Sequence, residues 1–227
     1  MAATKLKGMI FDLDGTLADT VPVCVAAFRS AFERFLDHRY TDEEIKAFCG
    51  PTEEGSCRRA VPNNWRGCLE AYLDAYRKIH DGLTEPFPQI EDALRLLKKR
   101  GAATAVVTGK GPVSAYISLR CLELEPYFEI VETGSPDGPI KPESLKKVLA
   151  KWEAEPHETA YVGDVAYDMQ AASEVGMISL GAAWAKGSTA HESSSTVEVI
   201  FYDVGSFVKW IETNVPEVPA RPFASQA

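Results

Sequence analysis

An apolar run, Met9-Ile10-Phe11, ends at once in Asp12-Leu13-Asp14-Gly15-Thr16. A strand that delivers two carboxylates at its end constrains the fold more than any other stretch of this chain. Asp and Gly are depleted in strands, so the run stops here, and like charges brought together repel. Two full negative charges about 4 Å apart cost roughly 4 kcal/mol at an effective dielectric near 20. A folded chain holds such a pair by binding a cation, protonating one member, or keeping the two apart. Taken alone, the segment reads as a solvated Asp-Asp-Gly turn. The remainder of the sequence argues otherwise.

From Leu17 to about Glu85 the pattern is helical. Val23, Ala27, Phe28, Ala31, Phe32 and Phe35 recur at helix spacing, and Thr41-Asp42-Glu43-Glu44 has the cap-then-acid form of a helix start. Further helices are expected over residues 54–60 and 65–80. Pro86 and Pro88 then forbid continuous helix. Beyond them helix and strand alternate. With the first strand at 7–13, strands are expected at 102–107, 128–131, 160–162, 177–180 and 197–201. Gly101, behind Lys98-Lys99-Arg100, stops a helix whose last turn favours cations. Such alternation implies an α/β fold with a parallel, Rossmann-like sheet and right-handed crossovers. The core is expected to comprise 1–16 and 86–216, with the helical block 17–85 inserted as a cap domain and 217–227 as an unpaired tail. Ligands of such sheets bind beyond the carboxyl ends of the strands.

Bulk properties exclude several functions. A net charge of −9 argues against nucleic-acid binding, which needs a basic face. No apolar run approaches the roughly 20 residues of a membrane span. The first strand begins so near Met1 that a secretory leader has no room, which points to the cytoplasm. Five cysteines without a C-x-x-C pair fit reduced thiols better than a disulfide frame or a zinc site. His38, His80, His157 and His191 form no ligand spacing and read as surface residues.

Four polar clusters fall just after expected strands or in the next loop: Asp12/Asp14, Thr108 with Gly109 and Lys110, Lys141 before Pro142, and Asp164/Asp168. Carboxylates with no nearby His or Cys select a hard cation, Mg²⁺ first. A hydroxyl, loop amides and a lysine suit a phosphate. A carboxylate facing a phosphate beside such a cation can act as a nucleophile. Each residue also has a bland reading. Thr108 alone is a strand-end hydroxyl, Lys141 and Lys110 are solvated cations, Asp164 is a helix cap, and Asp168 is a first-turn acid.

In order and spacing these motifs resemble the haloacid dehalogenase (HAD) superfamily of phosphohydrolases. The likeness is to the subgroup with a helical cap directly after the first motif, as in phosphoglycolate phosphatase-like enzymes. The resemblance implies that Asp12 is phosphorylated, while Asp14 protonates the leaving oxygen, activates water and lends its backbone carbonyl to Mg²⁺. It further implies that Thr108 and Gly109 hold the transferring oxygens, Lys141 offsets their charge, Asp164 ligates the metal, and Asp168 supports Lys141 or a metal-bound water. The second carboxylate separates phosphoryl chemistry from dehalogenation. The expected activity is therefore a Mg²⁺-dependent phosphatase of a small phosphorylated metabolite. A sugar-phosphate mutase resembling beta-phosphoglucomutase, or a catalytically silent binding protein on the same fold, is the alternative. Selectivity is expected in the cap, where Arg58 and Arg59 are candidates for an anionic leaving group and Glu53 and Glu54 oppose one. Trp184 and Lys186 border the pocket or serve structure. The sequence leaves the oligomeric state open.

Overall fold

The computed structural model describes residues 6–80, 85–193 and 196–217. Six parallel strands form one sheet: β1 (Gly8–Phe11), β2 (Ala103–Val107), β3 (Ile130–Glu132), β4 (Thr159–Gly163), β5 (Ile178–Ala182) and β6 (Val199–Phe201). Their spatial order is 3-2-1-4-5-6. A parallel sheet must bury both faces, and β1 shows how. Met9 and Phe11 enter one apolar cluster and Ile10 the other, as the two-residue side-chain period requires. The first face is covered by α5 (Ile90–Lys99), α6 (Pro112–Cys121) and α9 (Val204–Asn214). The second is covered by α7 (Lys141–Trp152) and α8 (Ala166–Val175). Gly8 admits α7 closely, since a Cβ there would stand 2.6 Å from the Trp152 ring.

Four helices lie between β1 and α5: α1 (Val21–Phe35), α2 (Asp42–Lys46), α3 (Glu53–Ala60) and α4 (Trp65–His80). They share a third apolar cluster, aromatic at its centre, with Phe28 and Tyr72 ring centroids 4.3 Å apart. Thr41 and Glu44 open α2 with a reciprocal capping box, at 3.2 and 2.8 Å. The two segments joining these helices to the sheet run side by side. Phe87 N–H donates to the Leu17 carbonyl at 2.9 Å, and Ala18 bridges Pro86. The helices dock on α6, where Ile117 packs against the aromatic cluster and the Tyr76 hydroxyl meets Ser118 Oγ at 2.8 Å.

Several boundaries move from the sequence reading. β3 starts at Ile130 because residues 125–127 form a tight turn that the Phe128 N–H closes on the Glu125 carbonyl. α9 starts at Val204, where the Asp203 side chain accepts from the Ser206 N–H at 2.7 Å, a cap that apolar periodicity does not reveal. His80 is buried, unlike the exposed His38, His157 and His191. Its ring packs on Tyr76, and burial pushes its imidazole below the usual histidine range. Apart from Glu217, the proposed tail lies outside the described residues. Among the described residues, no helix is long and apolar enough to cross a membrane.

Candidate active site

The strand order makes the chain step outward from β1 through β2 to β3, then return to the other side of β1. The topological switch thus falls between β1 and β4, and a crevice opens past their carboxyl ends. Asp12 follows β1 and donates its N–H to the Val162 carbonyl at 2.9 Å, which keeps it in register with β4. Asp12 is buried. Its Oδ2 lies 3.0 Å from Lys141 Nζ, whereas Oδ1 has no hydrogen-bond partner.

Lys141 opens α7, where Pro142 suits the first turn because its missing N–H is not needed there. Its ammonium is clamped between Asp12 and Asp168, with which it forms a second, short ion pair. Asp168 is itself oriented by the Tyr161 hydroxyl and the Val165 N–H, each at 3.2 Å. Asp164 leaves β4 on the same edge. Asp12, Asp164 and Asp168 each present an oxygen, all within 4.8 Å of one another. Gly15 makes this approach possible: its φ is +78°, and a Cβ there would stand 2.3 Å from Asp164 Oδ2.

Three buried carboxylates face one ammonium, and the acidities of Asp12 and Asp164 show the deficit. Burial pushes Asp12 up to about 6, with Lys141 opposing and Asp168 and Asp14 adding to the rise. Burial pushes Asp164 up to about 8, and Asp12 and Asp168 raise it further. For Lys141, burial disfavours the charged form, but Asp12 and Asp168 overcome it and hold the ammonium well above its ordinary range. An all-oxygen donor set short of positive charge fits a hard divalent cation.

The Asp14 carboxylate stands apart from that trio. It accepts a short hydrogen bond from Thr20 Oγ1, and its Oδ2 lies 3.4 Å from Lys110 Nζ. Its side chain therefore faces the start of α1 and Lys110 rather than the acidic trio. Thr108 and Gly109 follow β2 and line, with Asp12, Asp14, Lys110 and Lys141, a cavity of about 190 Å³. Its opposite wall comes from Cys24, Phe28, Tyr72 and residues 49–53.

Two sequence readings need correction. Lys110 is not a solvated cation: it is 4 % exposed, enclosed by Asp14, Glu53, Cys24 and the Tyr76 ring. Arg58 and Arg59 do not reach the cavity. Arg58 pairs with Glu54 and lies over Trp65, while Arg59 donates to the Phe48 carbonyl. Glu53, expected to oppose an anionic group, is a buried cavity residue whose contacts are 57 and more positions away, and no local pattern announces them. Trp184 is structural here, donating from Nε1 to the Thr16 carbonyl at 3.1 Å.

A charged floor at a sheet's switch point, roofed by aromatic helices, marks a hydrolase of the parallel α/β class. A family model for haloacid dehalogenase-like hydrolases matches residues 9–182. The chain belongs to that family and is an enzyme of the phosphatase type. It is 30% identical over 186 residues to Pyrophosphatase PpaX of Bacillus pumilus, covering 81% of this chain and 86% of the relative. Two crystal structures share its fold. A predicted phosphoglycolate phosphatase from Haemophilus somnus superposes with a TM-score of 0.78 at 20% identity, covering 90% of this chain and 97% of that one. CbbY from Rhodobacter sphaeroides, in complex with phosphate, gives 0.76 at 19% identity, covering 87% and 94%.

Proposed function

We propose that the chain is a Mg²⁺-dependent phosphomonoesterase that hydrolyses a small phosphorylated metabolite through an aspartyl-phosphate on Asp12. One observation carries this reading: Asp12 is pinned through Oδ2 by Lys141 at 3.0 Å, while its Oδ1 is buried without a donor beside the cavity. One oxygen is thereby oriented and the other is left for phosphorus.

In this reading Asp12 attacks phosphorus as the bond to the leaving oxygen breaks. Thr108 Oγ1 and the Gly109 N–H hold the equatorial oxygens, and Lys141 offsets their charge. Asp14, steadied by Thr20 and Lys110, gives its proton to the leaving oxygen. It then takes one from the water that cleaves the acyl-phosphate, restoring Asp12. Mg²⁺, held by the Asp12 and Asp164 side chains and the Asp14 carbonyl, would supply charge stabilisation at the phosphoryl oxygens. Asp168 acts through Lys141 by fixing its ammonium. Residues 17–85 serve as the cap, with the adjacent segments near 17–20 and 85–88 as hinges. A cavity of about 190 Å³ suits a phosphoryl group with a small leaving group.

The test compares wild type with Asp12→Asn on para-nitrophenyl phosphate with Mg²⁺. Turnover in wild type and a loss of at least about 10³-fold in the variant are expected. Comparable turnover by Asp12→Asn removes the nucleophile assignment, and an inert wild type favours a silent binding protein.

A further inference from the structure

The side of the cavity nearest Asp14, where a leaving group would sit, contains an ammonium that is already spoken for. Lys110 Nζ lies 3.4 Å from Asp14 Oδ2, 3.6 Å from Glu53 Oε1 and 3.1 Å from Cys24 Sγ, above the Tyr76 ring at 4.5 Å. The ammonium thus has two carboxylates and a thiol around it. The second ammonium in the wall, Lys141, is shared by Asp12 and Asp168. Among the described residues no arginine or histidine lines this cavity.

Glu53 is built into place rather than resting there. It is the first residue of α3 and 7 % exposed. Its Oε2 accepts from Gly111 N–H at 2.7 Å, and its Oε1 accepts from Ser114 Oγ at 2.6 Å. Gly111 caps α6, so a carboxylate from the helical block satisfies donors at the start of a helix beside the sheet, where the helix dipole favours negative charge. A Cβ on Gly111 would come 2.7 Å from Oε2, so the glycine leaves room for the contact. With Glu53 held there, the Lys110 charge is already answered on the leaving-group side even when Asp14 carries its proton.

We infer that Glu53 sets leaving-group selectivity: by sharing Lys110 with Asp14, it fits this half of the cavity to an uncharged alcohol and rejects a leaving group that carries a carboxylate or second phosphate. This rests on the phosphatase reading. With Asp14 carrying the proton it gives to the leaving oxygen, a leaving group with its own negative charge meets the Glu53 carboxylate and finds Lys110 already paired, and within a low-dielectric cavity that repulsion is screened poorly. Phe28 and Tyr72 also line this cavity, and the phenyl ring of Phe28 suits a carbon skeleton.

The experiment measures kcat/KM of the full chain with Mg²⁺ for 2-phosphoglycolate and for ethylene glycol monophosphate. These differ chiefly in a carboxylate against a hydroxymethyl group, and pyrophosphate adds a second anionic case. Wild type should favour the neutral leaving group at least tenfold. Glu53→Gln should shift the ratio at least tenfold towards the anionic substrates, because Lys110 loses one of its two acidic partners. A Ser114→Ala variant, which loosens Glu53 without changing charge, should shift it the same way by less. Wild-type preference for the anionic substrates overturns the inference even if Glu53→Gln fails to fold, and so does an unshifted ratio in a folded Glu53→Gln protein. A wild type inert on these substrates and on para-nitrophenyl phosphate overturns the phosphatase reading, and this inference with it.

Discussion

At the residue scale, Asp12 and Asp14 show that two neighbouring carboxylates can be given opposite surroundings. Asp12 sits among buried acids with one oxygen undonated, whereas Asp14 is tied by Thr20 and Lys110 and faces the helices. The residue that makes both possible is Gly15. Its left-handed φ of +78° turns the chain after Asp14, and its missing side chain is the space that Asp164 occupies. Gly15→Ala should therefore cost about 1–3 kcal/mol in backbone strain. It should also displace Asp164, so that saturated turnover of para-nitrophenyl phosphate falls at least about tenfold. Urea unfolding and kcat of the same preparation check this. A variant with wild-type values of both would show that the turn does not govern the acidic trio.

At the scale of elements, α6 joins the two halves of the molecule. Leu119 serves the core beneath the sheet, while Ser114 and Ser118, four residues apart and so on one helix face, meet Glu53 and Tyr76 from the helices above. The seam is polar where it meets the cavity and apolar at Ile117. Tyr76→Phe keeps the ring under Lys110 but removes the 2.8 Å bond to Ser118. Ser118 retains its bond to the Ser114 carbonyl at 3.1 Å, so no buried hydroxyl is orphaned. The loss should be about 0.5–1.5 kcal/mol, read as a lower urea midpoint at unchanged m. A loss well above that range would mean that the seam is one cooperative network rather than a set of separate contacts.

At the scale of the whole molecule, the buried acids oppose folding until a cation answers them. A ligand that binds only the folded state stabilises it by about 2.7 kcal/mol at one hundred times its dissociation constant. For a chain of 227 residues this amounts to a rise of several degrees in melting temperature. Added Mg²⁺ should raise the Tm of wild type and leave Asp164→Asn nearly unmoved, by calorimetry. An equal rise in both would place the cation elsewhere. Much of this molecule was legible in the sequence, and the reason is that backbone periodicity is local. Alternating apolar runs announced the parallel α/β fold, and polar residues at the ends of those runs had to meet at one sheet edge, which brought Asp12, Thr108 and Asp164 into view together, while Lys141, in a later loop, was tied to them by the family resemblance. Local pattern is silent about partners made by packing. Arg58 lies within five residues of Glu53 and looked the better pocket residue, yet it turns outward to Glu54 and Trp65. Lys110 was placed in solvent because nothing near it in sequence covers it; its cover comes from α1, α3 and α4, more than 25 residues away. Sequence alone determined the sheet, its chemistry-bearing edge and the class of enzyme. Only the tertiary structure decided which way Asp14 points and that Glu53 and Lys110 meet across the seam, because the helical block must first pack on α6 before those charges share one buried space.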